Sequence, residues 1–210
     1  MIFSSNPEKP DEDRENKMKI FYIMLIVLFG ISGCAMKEAP PLQTYMLETY
    51  SIPSGTDSRY SNKVLKVSFP QPLTEPLTDQ MAFSYSSSDR GYYQNSQWSN
   101  NIGKLIQGSL IEALQKSRLF KAVLPEASTV NEDFRLESIV YDFSHHVRGN
   151  ESYAVVSIAF TLIDTYTGKL VKSKRFSYKE MTPTVDAAGY VKATNRAMHR
   201  LEVDLINWLR

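Results

Sequence analysis

The stretch SYAVVSIAFTLIDTY, residues 152–166, decides the fold. It is apolar on both alternating sets of positions, with Val155, Ala159 and Ile163 on one face and Val156, Ile158, Phe160 and Leu162 on the other. A strand of this kind reads as central and covered on both sides. Thr165-Tyr166-Thr167-Gly168-Lys169 follows it as a hairpin turn, with Gly168 placed for positive φ. The chain then returns over 170–178 with Lys172 and Lys174, the charges of a guarded sheet edge. On the other side, Arg148-Gly149-Asn150 is a turn back to a long strand over 134–145. A meander of three long strands therefore forms the centre of the domain.

Outward from this centre, 185–209 carries Val191, Met198, Leu201, Leu205 and Trp208 at helical spacing, with Thr194 the polar member of the stripe. A second helix is predicted over 100–117 from Ile102, Leu105, Ile106, Leu110, Ala113 and Leu114, with Asn100 or Asn101 as its cap. Shorter strands are expected at 43–48, 63–69 and 120–124, the last closed by Pro125. A hairpin over 81–85 and 91–94 should turn at Ser86-Ser87-Ser88-Asp89. Two helices on an antiparallel or mixed sheet give a single α+β domain.

The N-terminal part has a different character. Residues 20–29 are an unbroken apolar run, preceded by Lys17 and Lys19 and followed by Gly30-Ile31-Ser32-Gly33-Cys34. A basic start, a short apolar middle and small residues at the cut are the layout of a signal peptide. The run is shorter than the roughly 20 residues of a spanning helix. Ile31, Ser32 and Gly33 before Cys34 form a lipobox. They are the recognition residues for the signal peptidase, and the Cys34 thiol is the acceptor for a diacylglycerol thioether. An uncleaved anchor helix and an ordinary buried cysteine are the rival readings. Residues 1–17 carry Glu8, Asp11, Glu12, Asp13 and Glu15 where a signal should be basic, so Met18 is the better start and 1–17 an upstream extension. The expected organisation is thus 18–33 signal peptide, 34–42 lipidated tether with Pro40 and Pro41, and 43–210 folded domain. Ala35 rather than Asp after the cysteine favours the periplasmic face of the outer membrane.

Hydrophobic residues make up 42% and charged residues 22% of the chain, with a formal net charge of +1, so a folded domain is expected and nucleic acid is not a partner. One cysteine rules out an internal disulfide and a thiolate metal cluster. The sequence has no G-x-S-x-G elbow, phosphate loop or dinucleotide fingerprint. His145 and His146 are adjacent at a strand end, point to opposite faces and read as solvated turn residues, and His199 falls on the polar side of its helix. The expectation is no catalytic residue, no metal, no cofactor and no enzyme. Gly91-Tyr92-Tyr93-Gln94-Asn95-Ser96-Gln97-Trp98 is the one unusual surface candidate. Its rings read either as cover for the sheet and helix ends or, with Tyr92, Tyr93 and Trp98 together, as a partner or lipid contact.

These features, in order, resemble the ABC-type transport auxiliary lipoproteins, the paraquat-inducible protein C-like group. The matching residues are Tyr45-Met46-Leu47, Tyr92-Tyr93 with Trp98 before a helix, and Leu119-Phe120-Lys121-Ala122-Val123. They continue with Phe134-Arg135-Leu136, Ile139 and Phe143, then Asp164 with Thr167-Gly168, Arg175-Phe176, and Asn207-Trp208-Leu209. The stretch 74–89 is longer than the pattern, and 1–17 has no counterpart in it. The resemblance implies a compact α/β domain with no catalytic or cofactor residues and Cys34 as its acylation site. It implies a helper in lipid traffic across the envelope, with an MCE-domain tunnel protein and its ABC transporter as partners; the leading reading is a lipid-tethered domain that docks the end of the tunnel, with phospholipid contact and self-assembly into a ring as further expectations. The competing expectation is an envelope assembly lipoprotein that activates cell-wall synthases, since fold alone does not separate the two.

Overall fold

The computed structural model describes Arg14, 16–23, 40–52, 54–55, 59–86 and 88–210. The chain divides into two compact units, Met1–Pro40 and Pro41–Arg210. In the first, the described residues Arg14 and 16–23 are helical and exposed. Ile31, Ser32 and Gly33, read from the sequence as a lipobox, and the expected acceptor Cys34 lie outside the described residues. Among the described residues no helix is long and apolar enough to cross a membrane.

The second unit is an α+β domain built on a nine-stranded mixed sheet. Its strands are β1 (Gln43–Tyr45), β2 (Val64–Val67), β3 (Gln71–Pro72), β4 (Gln80–Ser84), β5 (Arg90–Trp98), β6 (Ala122–Pro125), β7 (Phe134–Arg148), β8 (Glu151–Asp164) and β9 (Lys169–Met181). The helices are α1 (Ile102–Ser117) and α2 (Ala187–Leu209). The β7–β8–β9 meander is antiparallel throughout, and its two turns carry Gly149 and Gly168 at φ +61° and +67°, a left-handed conformation that only glycine adopts without strain. The long β7 carries the rest of the sheet. Its first half pairs in parallel with β2 and β3, and its second half in parallel with β4. β4 joins β5 in an antiparallel hairpin, and β1 lies parallel to β5 at the margin.

Both helices are cut where local chemistry dictates. The Asn101 side chain accepts from the Gly103 amide at 2.8 Å to cap α1, and Asp186 accepts from Gly189 at 2.7 Å to cap α2. The end of α1 is made by Arg118 in the left-handed region, at φ 56°, without the glycine that usually marks such a stop.

The helices pack on the sheet face that carries Leu136, Val140, Val156, Ile158, Phe160, Leu162 and Phe176, where they contribute Ile106, Leu110, Met198, Leu201 and Leu205. The opposite face of β8 departs from the expectation of a strand covered on both sides. Val155, Ala159 and Ile163 are only half-buried. Long cationic side chains from β9 lie over neighbouring rings on this face: the Arg175 guanidinium is 3.9 Å from the Tyr141 ring centroid and Lys179 Nζ is 3.6 Å from that of Tyr153. The apolar stems of these side chains cover the face without a second layer. β9 itself pairs only with β8 and is a sheet edge, as Lys172 and Lys174 indicate.

Candidate functional site

A single-residue irregularity in β7 arranges the most distinctive chemistry of the domain. The register against β8 shifts between Val140 and Asp142. Before the shift the helix-facing residues are Leu136, Ser138 and Val140; after it they are Phe143, His145 and Val147. The extra residue, Tyr141, inverts the alternation. It sends His145 into the core and Asp142, Ser144 and His146 onto the opposite face.

Inside, His145 is fully buried. Its ring is stacked between Tyr93, at 6.2 Å, and Tyr190, at 5.2 Å, each 12° from parallel. Nδ1 shares a 2.7 Å hydrogen bond with the Tyr93 hydroxyl, while Nε2 is buried without a partner. Burial, aided by neighbouring His146, pushes the imidazole down to about 4, so it is neutral. Burial raises Tyr93 to about 12. The ladder continues through Tyr190 to Trp98, which meets Phe143 and Tyr190 edge-on at 6.0 and 5.8 Å.

On the other face, His146 Nδ1 lies 3.2 Å from Ser84 Oγ and its Nε2 lies 3.0 Å from Asp142 Oδ2. Ser144 Oγ donates to Asp142 Oδ1 at 2.6 Å. Serine, histidine and aspartate in line have the composition of an acyl-transfer triad. The surroundings give it another use. Ser84 is only 2% exposed and the Tyr153 ring stacks on His146 at 5.3 Å, so the hydroxyl is packed inside the sheet junction. Ser84 and His146 are a cross-strand pair where β4 meets β7 over just two residues. The polar chain is a clamp at that short junction.

The three aromatic candidates therefore part company. Tyr92 is exposed and lines a narrow cleft with Glu75, Leu77, Arg90, Tyr141 and Asp142. Arg90 and Glu75 form an ion pair there. Tyr93 is half-buried against His145, and Trp98 is buried in the core. Tyr92 and Tyr93, adjacent on β5, face opposite ways, and Trp98, past the register shift in β5, reaches only the floor of the Tyr92 cleft, so the three rings do not share one exposed surface. The histidines are corrected as well. β7 runs on to Arg148, so His145 and His146 belong to the sheet rather than to a solvated turn. His199 packs on Tyr50 at 4.9 Å with Nδ1 buried. Beside it, the Glu48 amide donates to Asn195 Oδ1 at 3.2 Å, so the segment after β1 is strapped onto α2. The signal for the clamp was present in the sequence as Asp142, Ser144 and His146 at alternate positions, but the core role of His145 was not.

Among the described residues no group of three His, Cys, Asp or Glu side chains could hold a metal ion. Two further acids have shifted carboxyls, Glu132 half-buried and Glu202 buried. Glu132, paired with Arg135 and with Lys66 at 2.9 Å, is held down at about 2. Glu202 lies between the helices.

Comparisons agree with this architecture. A crystal structure of protein XCC0632 from Xanthomonas campestris superposes with a TM-score of 0.70 at 16% identity, over 79% of this chain and 94% of that one. A second crystal structure, of an uncharacterized protein, gives 0.64 at 14% identity, over 81% and 99%. Both similarities concern the fold. An uncharacterized protein of Bradyrhizobium diazoefficiens is 24% identical over 185 residues, 87% of this chain, which spans about half (49%) of that relative's length. The model of the ABC-type transport auxiliary lipoprotein component family matches residues 45–205, almost all of the domain. The chain belongs to that family, the ABC-type transport auxiliary lipoprotein components.

Proposed function

We propose that the chain is a lipid-anchored auxiliary component of an MCE/ABC-type intermembrane lipid transport system, non-enzymatic, held at the periplasmic face of the outer membrane and docking the MCE tunnel protein there. The observation that carries this reading is the family match over 45–205 with the lipobox Ile31-Ser32-Gly33-Cys34 directly upstream. The buried Ser84 and the stacked, neutral His145 support a scaffold over a catalyst, since neither presents a reactive atom to solvent. Acyl chains on Cys34 contribute about 0.8 kcal/mol per buried CH₂, enough for stable anchoring without a spanning helix.

The test is crosslinking of a tagged full-length protein in cells, extraction in mild detergent and identification of what co-purifies, with Cys34→Ala as control. Recovery of an MCE-domain protein, reduced in the control, is the expected result. Recovery of cell-wall synthases in its place overturns the transport role in favour of envelope assembly.

A further inference from the structure

We propose that the free edge of β9 is the docking site for an acidic, extended segment of a partner protein, which adds to the sheet as a further strand. The inference concerns the domain alone and stands whether or not Cys34 carries lipid.

This edge is open in a way the other margins of the sheet are not. Among the described residues β9 pairs with β8 alone. It runs for 13 residues, about 40 Å, whereas β1 and β6 at the other margins have 3 and 4. From Lys172 to Met181 its register against β8 is unbroken, and no proline interrupts it. Shortness, a bulge and proline, which close many edges, are missing from this stretch, and charge is left as its guard.

One bond gives the direction of the free backbone groups. A step beyond the Tyr153–Met181 pair, the Thr182 amide donates to the Ser152 carbonyl at 2.9 Å. Antiparallel pairs alternate between bonded and unbonded, so in this register the even-numbered residues of β9 bond to β8. Ser173, Arg175, Ser177 and Lys179 therefore turn their N–H and C=O groups outward, and all four are exposed. Met181, next in the odd series, has its carbonyl engaged by Arg196 at 2.6 Å, which ends the open stretch. A strand arriving over 173–179 finds a row of free donors and acceptors.

Charge selects the strand. β9 carries Lys169, Lys172, Lys174, Arg175 and Lys179 against one acid, Glu180, in a chain whose formal net charge is +1. Lys174, Arg175 and Lys179 lie over the rings of Phe176, Tyr141 and Tyr153. Among the described residues none of these three forms an ion pair with a carboxylate. The acids beside the edge are engaged: Glu180 pairs with Arg200, and Asp204 accepts from the Tyr178 hydroxyl. An added strand places its own residues opposite Arg175 and Lys179 on the exposed face, and acids there meet both cations. A second copy's β9 brings five more cations and one acid to the same edge, so like charge opposes self-pairing.

The test takes the whole protein, extracted in non-ionic detergent, and two fluorescein-labelled peptides of the length of β9, one alternating Glu with Val and Thr, the other Lys with Val and Thr. Anisotropy reads binding and amide exchange reads its place. The acidic peptide is expected to bind and to slow exchange at Ser173, Arg175, Ser177 and Lys179 roughly ten-fold or more; this measurement needs no variant to fold. Ser177→Pro removes one outward N–H, a change that a sheet edge tolerates. That variant, and Arg175→Glu combined with Lys179→Glu, should each weaken the acidic peptide at least about ten-fold, and the charge reversal should favour the basic peptide. Binding that Ser177→Pro leaves unchanged is charge attraction without strand addition and overturns the proposal. Equal binding of both peptides, or of neither, overturns it as well. Concentration-dependent protection of the same amides without peptide makes a second copy the occupant, and protection by phosphatidylglycerol vesicles but not by the acidic peptide makes lipid the occupant; either result overturns the acidic strand.

Discussion

The Ser109 hydroxyl of α1 donates to the Glu202 carboxylate of α2, and both side chains are buried between the helices. Burial is the main reason the Glu202 carboxyl is pushed up to about 7; Glu112 adds repulsion, while the Ser109 bond and Lys116 oppose it. A carboxyl whose folded-state pKa is raised contributes stability fully below its ordinary value of 4.5, and that contribution is lost as pH rises through about 7. Glu202→Gln keeps an acceptor for Ser109 and removes the charge. The variant is expected to gain about 2 kcal/mol over the parent at pH 8 and little at pH 5. Urea midpoints at the two pH values check this, and equal destabilisation at both contradicts a neutral buried carboxyl.

His145 titrates in the opposite sense. Its folded-state pKa is depressed from 6.5 to about 4, so the stability of the neutral form is present above 6.5 and is lost as pH falls towards 4. His145→Gln is expected to flatten the stability profile between these values. Tyr93→Phe removes the Nδ1 partner and should cost about 1–2 kcal/mol near neutrality. Thermal unfolding at pH 5 and pH 7 reads both.

Trp98 and Tyr92 separate core from surface within one strand. Trp98→Ala is expected to cost about 3–5 kcal/mol, whereas Tyr92→Ala stays within about 0.5 kcal/mol. Chemical denaturation with unchanged m-values distinguishes them. Comparable losses would contradict the assigned faces of β5.

The clamp at Ser84 and His146 lies where the β4–β7 ladder runs over only two residue pairs. His146→Ala frees both Ser84 and Asp142, and amide exchange along β4 should accelerate roughly ten-fold, as expected for the loss of about 1.4 kcal/mol of local stability. Protection in the centre of β8 should be unchanged. Uniform acceleration across the sheet would mean that the clamp supports the whole fold rather than the junction.

Much of this domain is written locally. The pattern of 152–166, the glycines at 149 and 168 and the stripes from Ile102 to Leu114 and from Val191 to Trp208 identify the meander and both helices, because each depends on near neighbours and a backbone period. The proposed lipobox is a reading of the same local kind, a pattern of adjacent residue types. Other features depend on segments far apart in the chain. β1, β2, β3 and β4 find parallel partners in β5 and β7, and no turn sequence announces a parallel pair, since its strands are not joined by a tight hairpin. The extra residue at Tyr141 shifts the phase of β7, so alternation read through it misplaces His145. Which of Tyr92, Tyr93 and Trp98 reaches solvent, and which histidine is buried, was decided only when the strands had paired and α1 and α2 had closed on one face. Side-chain chemistry fixed the period of each element, and close packing of distant elements fixed which side became the inside.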